Sequence, residues 1–490
     1  MNRREFLSTA AAGALIRADS PPNIVFILAD DLGYGDVGCF GQENIKTPNI
    51  DKLAASGMRF TRHYSGSPVC APSRCVLMTG LHSGHAWVRN NREVQPEGQE
   101  PLPTGTVTLP GLLRKRGYTT GAFGKWGLGG PGTSGDPLSQ GFDRFFGYNC
   151  QRKAHNYYPT YLWDNDRKRP LNNPDFSAHQ QLPENLDPKD PASYKQYSGV
   201  QYSPDLIGEE ARQFVKANAA RPFFLYLPTT VPHLALQVPE DSLREYLGRF
   251  PETPYKGDNK YLPHWAPRAA YAAMITRMDR EVGRLVKLIE DLKLEKRTVF
   301  VFASDNGPVY DRLGATDSDF FNSSGSLHGR KGSVYEGGIR VPMIISWPGR
   351  IVAGAKSERV TGFEDWLPTL LELTGAQRPG DTDGISFLPS LLGETQPARP
   401  FLYREFPAYG GQQSLLAGDW KLVRRNLLPP AGQPATPTAE LYNLVSDPGE
   451  NRDVAASHPE VVARLMETMR QQHRVSPRFP FPALDKPVGS

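Results

Sequence analysis

The stretch Asn23-Ile24-Val25-Phe26-Ile27-Leu28-Ala29 is a continuous apolar run after its first residue, and it ends in Asp30-Asp31. A run without alternating polar residues is typical of a strand that is buried on both faces, as in a parallel sheet covered by helices. Downstream, Thr47-Pro48 predicts the start of a helix, with Thr47 as its N-cap and Pro48 in its first turn. The stretch therefore predicts an α/β fold.

The rest of the chain repeats this alternation of strands and helices. Apolar runs predict further strands over residues 119–123, 222–227, 298–303 and 341–347. The clearest helix spans residues 268–292, where apolar side chains recur at helical spacing and mark a face that packs into the core. Strands that alternate with helices favour a largely parallel sheet flanked by helices.

Composition excludes several classes of protein. The chain has 490 residues, 39% of them hydrophobic, and a formal net charge of +4. This charge is too small to indicate nucleic acid or an anionic membrane surface as a partner. The four cysteines, Cys39, Cys70, Cys75 and Cys150, fit no zinc-binding spacing. An oxidising compartment would allow a disulfide among Cys39, Cys75 and Cys150, but we expect no structural one.

The N-terminus resembles a twin-arginine export signal. Arg3-Arg4-Glu5-Phe6-Leu7 precedes a short, weakly apolar stretch over residues 7–16. We predict that residues 1–20 form a signal peptide recognised by the twin-arginine export machinery, and that the mature protein is periplasmic or secreted. The alternative is a disordered cytoplasmic tail.

The chain divides into a large domain over residues 21–396 and a smaller α+β domain over residues 397–490. Within the first, residues 128–205 carry little helix or strand signal but many aromatic residues, which favours a substrate pocket over disorder. The second contains apolar runs near residues 420–423 and 441–444 that predict short strands, and a helix near 459–473.

Polar clusters follow several of the predicted strands. Asp30-Asp31, Lys125, His233 and Asp305-Asn306 all lie where a strand ends. Ligands of open α/β sheets bind at the carboxyl ends of strands, so these side chains should meet at one edge. Carboxylate and amide oxygens suit Ca²⁺ or Mg²⁺, although each pair alone could equally be a turn or a helix cap. Because adjacent carboxylates repel, we expect positive charge beside Asp30-Asp31.

One short motif carries the strongest functional signal. Cys70-Ala71-Pro72-Ser73-Arg74 resembles the signature of the formylglycine-dependent sulfatases. Cys70 also begins a predicted helix, whose N-terminus offers free N–H groups and a partial positive charge to an anion. The resemblance extends over residues 22–455 and includes the stretch 335–342 and the tail around residues 441–450. It identifies the chain as similar to type I sulfatases of the alkaline phosphatase superfamily.

This resemblance implies a fold, a cofactor and a set of site residues. The fold is a large mixed, mostly parallel sheet flanked by helices, with a smaller C-terminal domain. Cys70 is oxidised to formylglycine by a separate formylglycine-generating enzyme, and its hydrate attacks sulfur. The implied ligands of Ca²⁺, with Mg²⁺ as an alternative, are Asp30, Asp31, Asp305, Asn306 and the modified Cys70. The resemblance also implies five catalytic residues. Cys70 supplies the nucleophile and Arg74 orients the site. Lys125 and Lys331 bind sulfate oxygens, and His233 protonates the leaving group.

One departure from the family pattern concerns a base. Many sulfatases read Gly-Lys-Trp-His-Leu-Gly where this chain reads Gly124-Lys125-Trp126-Gly127-Leu128-Gly129, so Gly127 replaces a histidine proposed to deprotonate the sulfated hydrate. Another group could act instead, the step could use solvent, or catalysis could be impaired. The candidate substitutes are His328, His85 and His155.

The substrate that the resemblance implies is a sulfated glycan, in particular one with galactose or N-acetylgalactosamine sulfate. We expect His155, in the aromatic insertion, to contact the sugar, and His328 to lie near the site because it is close to Lys331 in sequence. Two alternatives remain open. One is a formylglycine-dependent phosphodiesterase or phosphonate hydrolase, and the other is a sulfoglycan-binding protein without turnover.

Overall fold

The structure is a computed structural model that describes residues 21–485, except 259, 311, 430–432 and 435. The predicted signal peptide, residues 1–20, therefore lies outside the described residues. Within the described part of the chain, no helix combines the length and the apolar character that a membrane span needs.

A large mixed sheet forms the centre of the first domain. Its strands are β1 (Asn23–Ala29), β2 (Met58–Tyr64), β3 (Thr119–Lys125), β4 (Arg144–Tyr148), β5 (Tyr161–Asp164), β6 (Arg167–Pro170), β7 (Phe223–Pro228), β8 (Thr298–Ser304), β9 (Arg340–Ser346), β10 (Ala355–Ser357) and β11 (Thr361–Gly362). They are ordered β10-β2-β9-β8-β1-β7-β3-β4-β5-β6, and β11 also pairs with β2. Strand β1 is central and runs parallel to both β7 and β8. Antiparallel pairs occur towards both edges.

Helices cover both faces of this sheet. They are α1 (Pro48–Ala55), α2 (Cys70–Thr79), α3 (Leu109–Lys115), α4 (Ser203–Asn218), α5 (Glu240–Leu243), α6 (Pro267–Asp291), α7 (Glu336–Ile339), α8 (Trp366–Thr374) and α9 (Leu388–Leu391). Alternate residues of β1 enter different cores: Val25 and Ile27 pack with α6, whereas Phe26 packs with α2 and α8. Burial on both faces explains why the sequence of β1 is apolar without alternation.

The predicted mostly parallel sheet is confirmed, and the insertion adds strands to it. Although residues 128–205 carry little helix or strand signal, they supply β4, β5 and β6 at one edge of the main sheet. Strand β6, Arg167-Lys168-Arg169-Pro170, carries no apolar strand signal: three of its four residues are basic, and all four are solvent-exposed. Its strand geometry comes from pairing with β5, which local sequence does not encode.

The C-terminal domain is an antiparallel sheet with one helix. Its strands, in spatial and chain order, are β12 (Leu402–Phe406), β13 (Gln412–Ala417), β14 (Trp420–Arg425) and β15 (Thr438–Asn443). Helix α10 (Pro459–Gln472) packs Leu465 and Met469 against this sheet. The predicted smaller α+β domain is therefore confirmed.

Candidate active site

Four polar segments meet at the carboxyl edge of the central strands. Asp30-Asp31 directly follow β1, Lys125 ends β3, and Asp305-Asn306 directly follow β8, while His233 lies in the loop after β7. All of these residues are buried. The potential ligand atoms of Asp30, Asp31, Cys70 and His233 lie within 4.8 Å of one another. The parallel order of β1, β7 and β8 brings these distant sequence positions together.

Cys70 lies at the centre of this cluster, at the first position of α2. Its Sγ atom lies 3.4 Å from Asp30 Oδ1 and 3.9 Å from Asp31 Oδ1. Burial raises the pKa of the Cys70 thiol well above its ordinary value, so the unmodified side chain stays protonated. Because the thiolate is the reactive form, an unmodified Cys70 is a poor nucleophile at this position.

Two lysines supply the positive charge expected beside the paired carboxylates. Lys125 Nζ lies 2.7 Å from Asp30 Oδ2, and Lys331 Nζ lies 2.7 Å from Asp31 Oδ2. Burial alone would lower the pKa of each lysine, but the adjacent carboxylates outweigh it and raise both pKa values. Both side chains therefore carry a positive charge next to Cys70.

Arg74 joins two of the strand ends. Its Nε and Nη2 atoms donate to Asp305 Oδ2 at 3.1 and 2.7 Å, and its Nη1 donates to the carbonyl oxygen of Lys125. The guanidinium is fully buried. It lies one helical turn after Cys70, so it fixes α2 relative to β3 and β8.

The oxygen atoms around Cys70 fit a hard divalent cation. Asp305 Oδ1 accepts the Asp31 backbone N–H at 3.1 Å, and Asn306 Nδ2 donates to Asp31 Oδ1 at 2.8 Å. The Oδ1 atom of Asn306 is buried and has no hydrogen-bond partner among the described residues. Burial and the charge of Asp30 raise the pKa of Asp305 to about 6. Three buried carboxylates and the unpartnered amide oxygen of Asn306 together are the kind of oxygen ligands that Ca²⁺ and Mg²⁺ prefer.

His233 faces the same cluster through one ring nitrogen. Its Nδ1 donates to the Leu234 carbonyl oxygen at 2.6 Å, and its Nε2 lies 3.5 Å from Asp31 Oδ2. Burial and the charge of Lys331 lower the pKa of His233 to about 4. Without a bound anion, the ring is therefore neutral at pH 7.

His155 lies against His233 and ends a chain of hydrogen bonds. His179 Nδ1 donates to the Lys260 carbonyl oxygen at 2.7 Å, so His179 Nε2 is left to accept from His155 Nδ1 at 3.0 Å. Burial lowers the pKa of both histidines, so both rings are neutral. The Nε2 atom of His155 is consequently an acceptor.

The other two candidate histidines lie apart from this cluster. His85 Nδ1 is 2.9 Å from Asp383 Oδ1, and Asp383 bonds through its backbone N–H to Gly80, at the opposite end of α2 from Cys70. His328 is exposed and stacks on Tyr335. It lines a cavity of about 560 Å³ whose wall also includes Lys331.

Two site residues were missed by sequence reasoning. Asn91 Oδ1 accepts the backbone N–H of Ala71, next to Cys70, at 3.1 Å. Gln151 packs against Gly127, where a Cβ atom would lie 2.8 Å from Gln151 Nε2. No local pattern marks either contact, because each joins segments that are distant in sequence.

Comparison with known proteins identifies the family. The family model described as Sulfatase matches residues 22–376, and one described as N-sulphoglucosamine sulphohydrolase, C-terminal, matches residues 328–475. The chain belongs to the sulfatase family. Human arylsulfatase A is 34% identical over 95% of this chain and 90% of its own length. N-acetylgalactosamine-6-sulfatase of Canis lupus familiaris is 34% identical over 81% of this chain and 71% of its own.

Solved structures agree with this assignment. Ps i-CgsB in complex with k-i-k-neocarrahexaose is 28% identical and superposes with a TM-score of 0.74, covering 93% of this sulfatase and 94% of that chain. A structure from the study of glycosaminoglycan metabolism by Bacteroides thetaiotaomicron is 26% identical, with a TM-score of 0.71 and coverage of 92% and 99%. The resemblance inferred from Cys70 and its partner motifs is confirmed, and the protein is a sulfuric ester hydrolase.

Proposed function

We propose that this sulfatase hydrolyses sulfate esters of carbohydrates, in particular galactose or N-acetylgalactosamine sulfates, with formylglycine at position 70 and a bound Ca²⁺. The observation that carries the proposal is the position of Cys70. Its Sγ atom lies beside Asp30 and Asp31, each of which is paired with a buried lysine. A nucleophile at position 70 would therefore lie beside carboxylate oxygens that suit a cation, and beside the ammonium groups of Lys125 and Lys331, whose positive charge suits sulfate.

Formylglycine would supply a hydrated aldehyde, an oxygen nucleophile that the protonated thiol of Cys70 cannot provide. The residues that would hold the metal are Asp30, Asp31, Asp305 and Asn306, and the ion would add positive charge beside the sulfate oxygens. Lys125 and Lys331 would offset the negative charge that develops on these oxygens. Because their ammonium groups are already held by carboxylates, little reorganisation is needed when the substrate arrives.

His233 would protonate the departing alcohol. Its Nδ1–H is committed to the Leu234 carbonyl oxygen, so Nε2 is the atom that faces the cluster. A bound sulfate ester brings negative charge close to this ring and raises the pKa of His233 from its low value without substrate. The protonated form needed for general acid catalysis is therefore favoured when the substrate is bound.

Gly127 provides no base for the release of sulfate, so another group or a water molecule must take this proton. Of the three histidines considered, only His155 contacts the ring of His233. Its Nε2 atom is an acceptor, as a base requires. The absence of a side chain at 127 is also the observation that favours a second candidate function, a sulfoglycan-binding protein without turnover.

The choice of substrate rests on the relatives and on the pocket. N-acetylgalactosamine-6-sulfatase and Ps i-CgsB, which was solved with a neocarrahexaose, are both similar to most of this chain. The cavity beside His155 has a volume of about 390 Å³ and a polar lining. This size and polarity suit a sugar ring with its hydroxyl groups. A phosphonate monoester hydrolase from Silicibacter pomeroyi, 21% identical with a TM-score of 0.65, has a similar fold, and this likeness carries no argument about the substrate.

We also propose that the chain is exported by the twin-arginine machinery after a formylglycine-generating enzyme has modified Cys70. Twin-arginine substrates cross the membrane folded, so modification in the cytoplasm is compatible with export. Fusion of residues 1–20 to a reporter should direct it out of the cytoplasm. Export that persists after Arg3 and Arg4 are both replaced by lysine would contradict this route.

The test of the proposed function is sulfate release from galactose, N-acetylgalactosamine and glucosamine sulfates of defined position. The protein is co-expressed with a formylglycine-generating enzyme, supplied with Ca²⁺ and checked for the aldehyde at position 70 by mass. We expect release from one regioisomer, and loss of release in Cys70→Ala and Cys70→Ser. Glycan binding without release by the aldehyde form would support the binding protein, and faster cleavage of a phosphonate monoester would support the phosphoryl hydrolase.

A further inference from the structure

Gln151 occupies the space that a side chain at position 127 would fill. Gly127 has a φ angle of +81°, and a Cβ atom built on it would lie 2.8 Å from Gln151 Nε2 and 3.2 Å from Gln151 Cγ. These distances are shorter than normal contacts between such atoms. A larger residue at 127 and the observed conformation of Gln151 are therefore mutually exclusive.

The side-chain nitrogen of Gln151 is buried and has no hydrogen-bond partner among the described residues. The residue is only 6% exposed, and its Nε2 atom has no hydrogen-bond partner within the described chain. A buried donor without a partner destabilises the folded state, and native proteins rarely retain one without a reason. An apolar side chain would fill this space without that cost. The Nε2 atom of Gln151 is therefore able to donate to a group that is not part of the described chain.

The surroundings of Gln151 connect it to the reaction centre. Gln151 lines the cavity of about 390 Å³ together with Asn91 and His155. Asn91 accepts the backbone N–H of Ala71, next to Cys70, and His155 stacks on His233. A sugar bound in this cavity would therefore lie against Gln151 and against two residues that contact neighbours of the reaction centre.

We propose that Gln151, whose side chain fills the space beside Gly127, is a substrate-binding residue whose side-chain N–H donates to an oxygen of the bound sulfated sugar. This inference rests on the proposed carbohydrate sulfatase activity. An amide does not titrate near neutral pH, so Gln151 positions the sugar or its sulfate and does not act as a base. The resulting preference is for a substrate that presents an acceptor oxygen beside residue 127.

The experiment compares Gln151→Met with a matched variant, Gln140→Met. Methionine keeps the approximate length of glutamine but removes the amide. Gln140 is also buried, at 4% exposure, and its Oε1 has no partner among the described residues, but its Nε2 donates to the Ser134 carbonyl oxygen at 2.6 Å, and it does not line the cavity beside His155. The readouts are the melting temperature, and kcat, KM and the pH profile of kcat/KM on the sugar sulfate that the wild-type protein hydrolyses.

The two variants should change in opposite ways. In Gln151→Met we expect kcat/KM to fall by about 10- to 100-fold, which is the loss typical of a hydrogen bond to a charged or strongly polar group. The pH profile of kcat/KM should be unchanged. The melting temperature should be at or above that of wild type, because the unsatisfied amide is removed. Gln140→Met should melt earlier and keep kcat/KM within about twofold of wild type, because it loses a hydrogen bond that only supports the fold.

A Gly127→Ala variant tests the same contact from the other side. Its Cβ atom would displace the Gln151 amide, so kcat/KM should fall, and adding Gln151→Met should cost little more because the contact is already lost. Wild-type kcat/KM in Gln151→Met would overturn the inference while leaving the sulfatase proposal intact. If the wild-type aldehyde form releases no sulfate from any sugar, the proposed function fails and the inference fails with it.

Discussion

The imidazole ring of His155 lies parallel to that of His233, with ring centroids 4.6 Å apart and an angle of 13° between the planes. This stack joins the aromatic insertion to the residue that faces Asp31. Hydrogen bonds also fix the orientation of both rings: His155 Nδ1 donates to His179 Nε2, and His233 Nδ1 donates to the Leu234 carbonyl oxygen. The sugar cavity and the leaving-group side of the reaction centre are therefore built from adjacent side chains.

From this relationship we predict that His155→Ala lowers kcat/KM on the natural sugar sulfate by about 10- to 100-fold, through a lost hydrogen bond and a less ordered His233. His155→Phe separates the two causes, because it retains an aromatic ring for stacking but has no acceptor. We expect it to be nearly as impaired as His155→Ala. Steady-state kinetics on the sugar and on a small aryl sulfate provide the measurement, and unchanged kinetics in His155→Ala would refute the role.

A second prediction concerns Lys331. Lys331→Met keeps the aliphatic stem but removes the charge held 2.7 Å from Asp31 Oδ2, so kcat/KM should fall by at least about 100-fold. The neighbouring Arg330, which pairs with Asp319, is the matched control. Arg330→Met should retain kcat/KM within about threefold. Equal losses in both variants would show that general surface charge, rather than the Asp31 contact, explains the effect.

The central part of the fold and site could be predicted from sequence because strong local signals coincide with it. Burial of β1 on both faces requires an apolar run, and the parallel order of its neighbours brings Asp30, Lys125 and Asp305 to one edge. The common location of these three residues can be predicted from the ends of the apolar runs in the sequence alone. The positive charge expected beside Asp30-Asp31 is present as Lys125 and Lys331.

Other features depend on contacts that local sequence does not encode. The exposed strand β6 is a strand only because it pairs with β5. Gln151 fills the space beside Gly127 through the approach of two separate loops, and a glutamine in a loop carries no signal of that contact. The sequence therefore shows that residue 127 has no side chain, but it does not predict that Gln151 fills the space beside it.

The metal site gives a third prediction. Asp30, Asp31 and Asp305 are buried close together, so a divalent cation should bind the folded chain far better than the unfolded chain. Adding Ca²⁺ at about 100 times its dissociation constant should stabilise the protein by about 2.7 kcal/mol. Calorimetry after chelation, with Ca²⁺ or Mg²⁺ restored, measures this. Asp305→Asn should weaken the response, and an equal response in that variant would contradict the assignment.

A buried ion network behind the site supports the position of α7. Lys421 Nζ lies 2.8 Å from Glu336 Oε1 and 2.9 Å from Glu450 Oε1, so two carboxylates share one ammonium group. Glu450 Oε2 also accepts the backbone N–H of Glu336, the first residue of α7. Burial raises the pKa of Glu450 to about 7, and the adjacent charge of Glu336 adds to this. The C-terminal domain is thereby tied to the segment that follows Lys331.

This network makes part of the stability depend on pH. An acid whose pKa is about 4.5 in the unfolded chain and about 7 in the folded chain holds its proton in the folded state over that interval. The folded state then binds more protons, so stability falls as pH rises from about 4.5 through 7. Glu450→Gln mimics the protonated carboxyl group and should remove this decrease in the free energy of unfolding with rising pH. Relative to wild type, we expect it to be neutral at pH 4.5 and more stable by about 3 kcal/mol at pH 8.

Denaturant unfolding at pH 4.5, 6.5 and 8 tests the sign of this effect, with Glu372→Gln as the control because Glu372 is exposed on α8. The difference between Glu450→Gln and wild type should grow with pH, whereas that for Glu372→Gln should stay near zero throughout. If Glu450→Gln is instead less stable than wild type at pH 8, the ion pair with Lys421 outweighs the repulsion between Glu450 and Glu336. In that case Glu450 is ionised in the folded protein at neutral pH, and the network stabilises the domain contact as a charged triad.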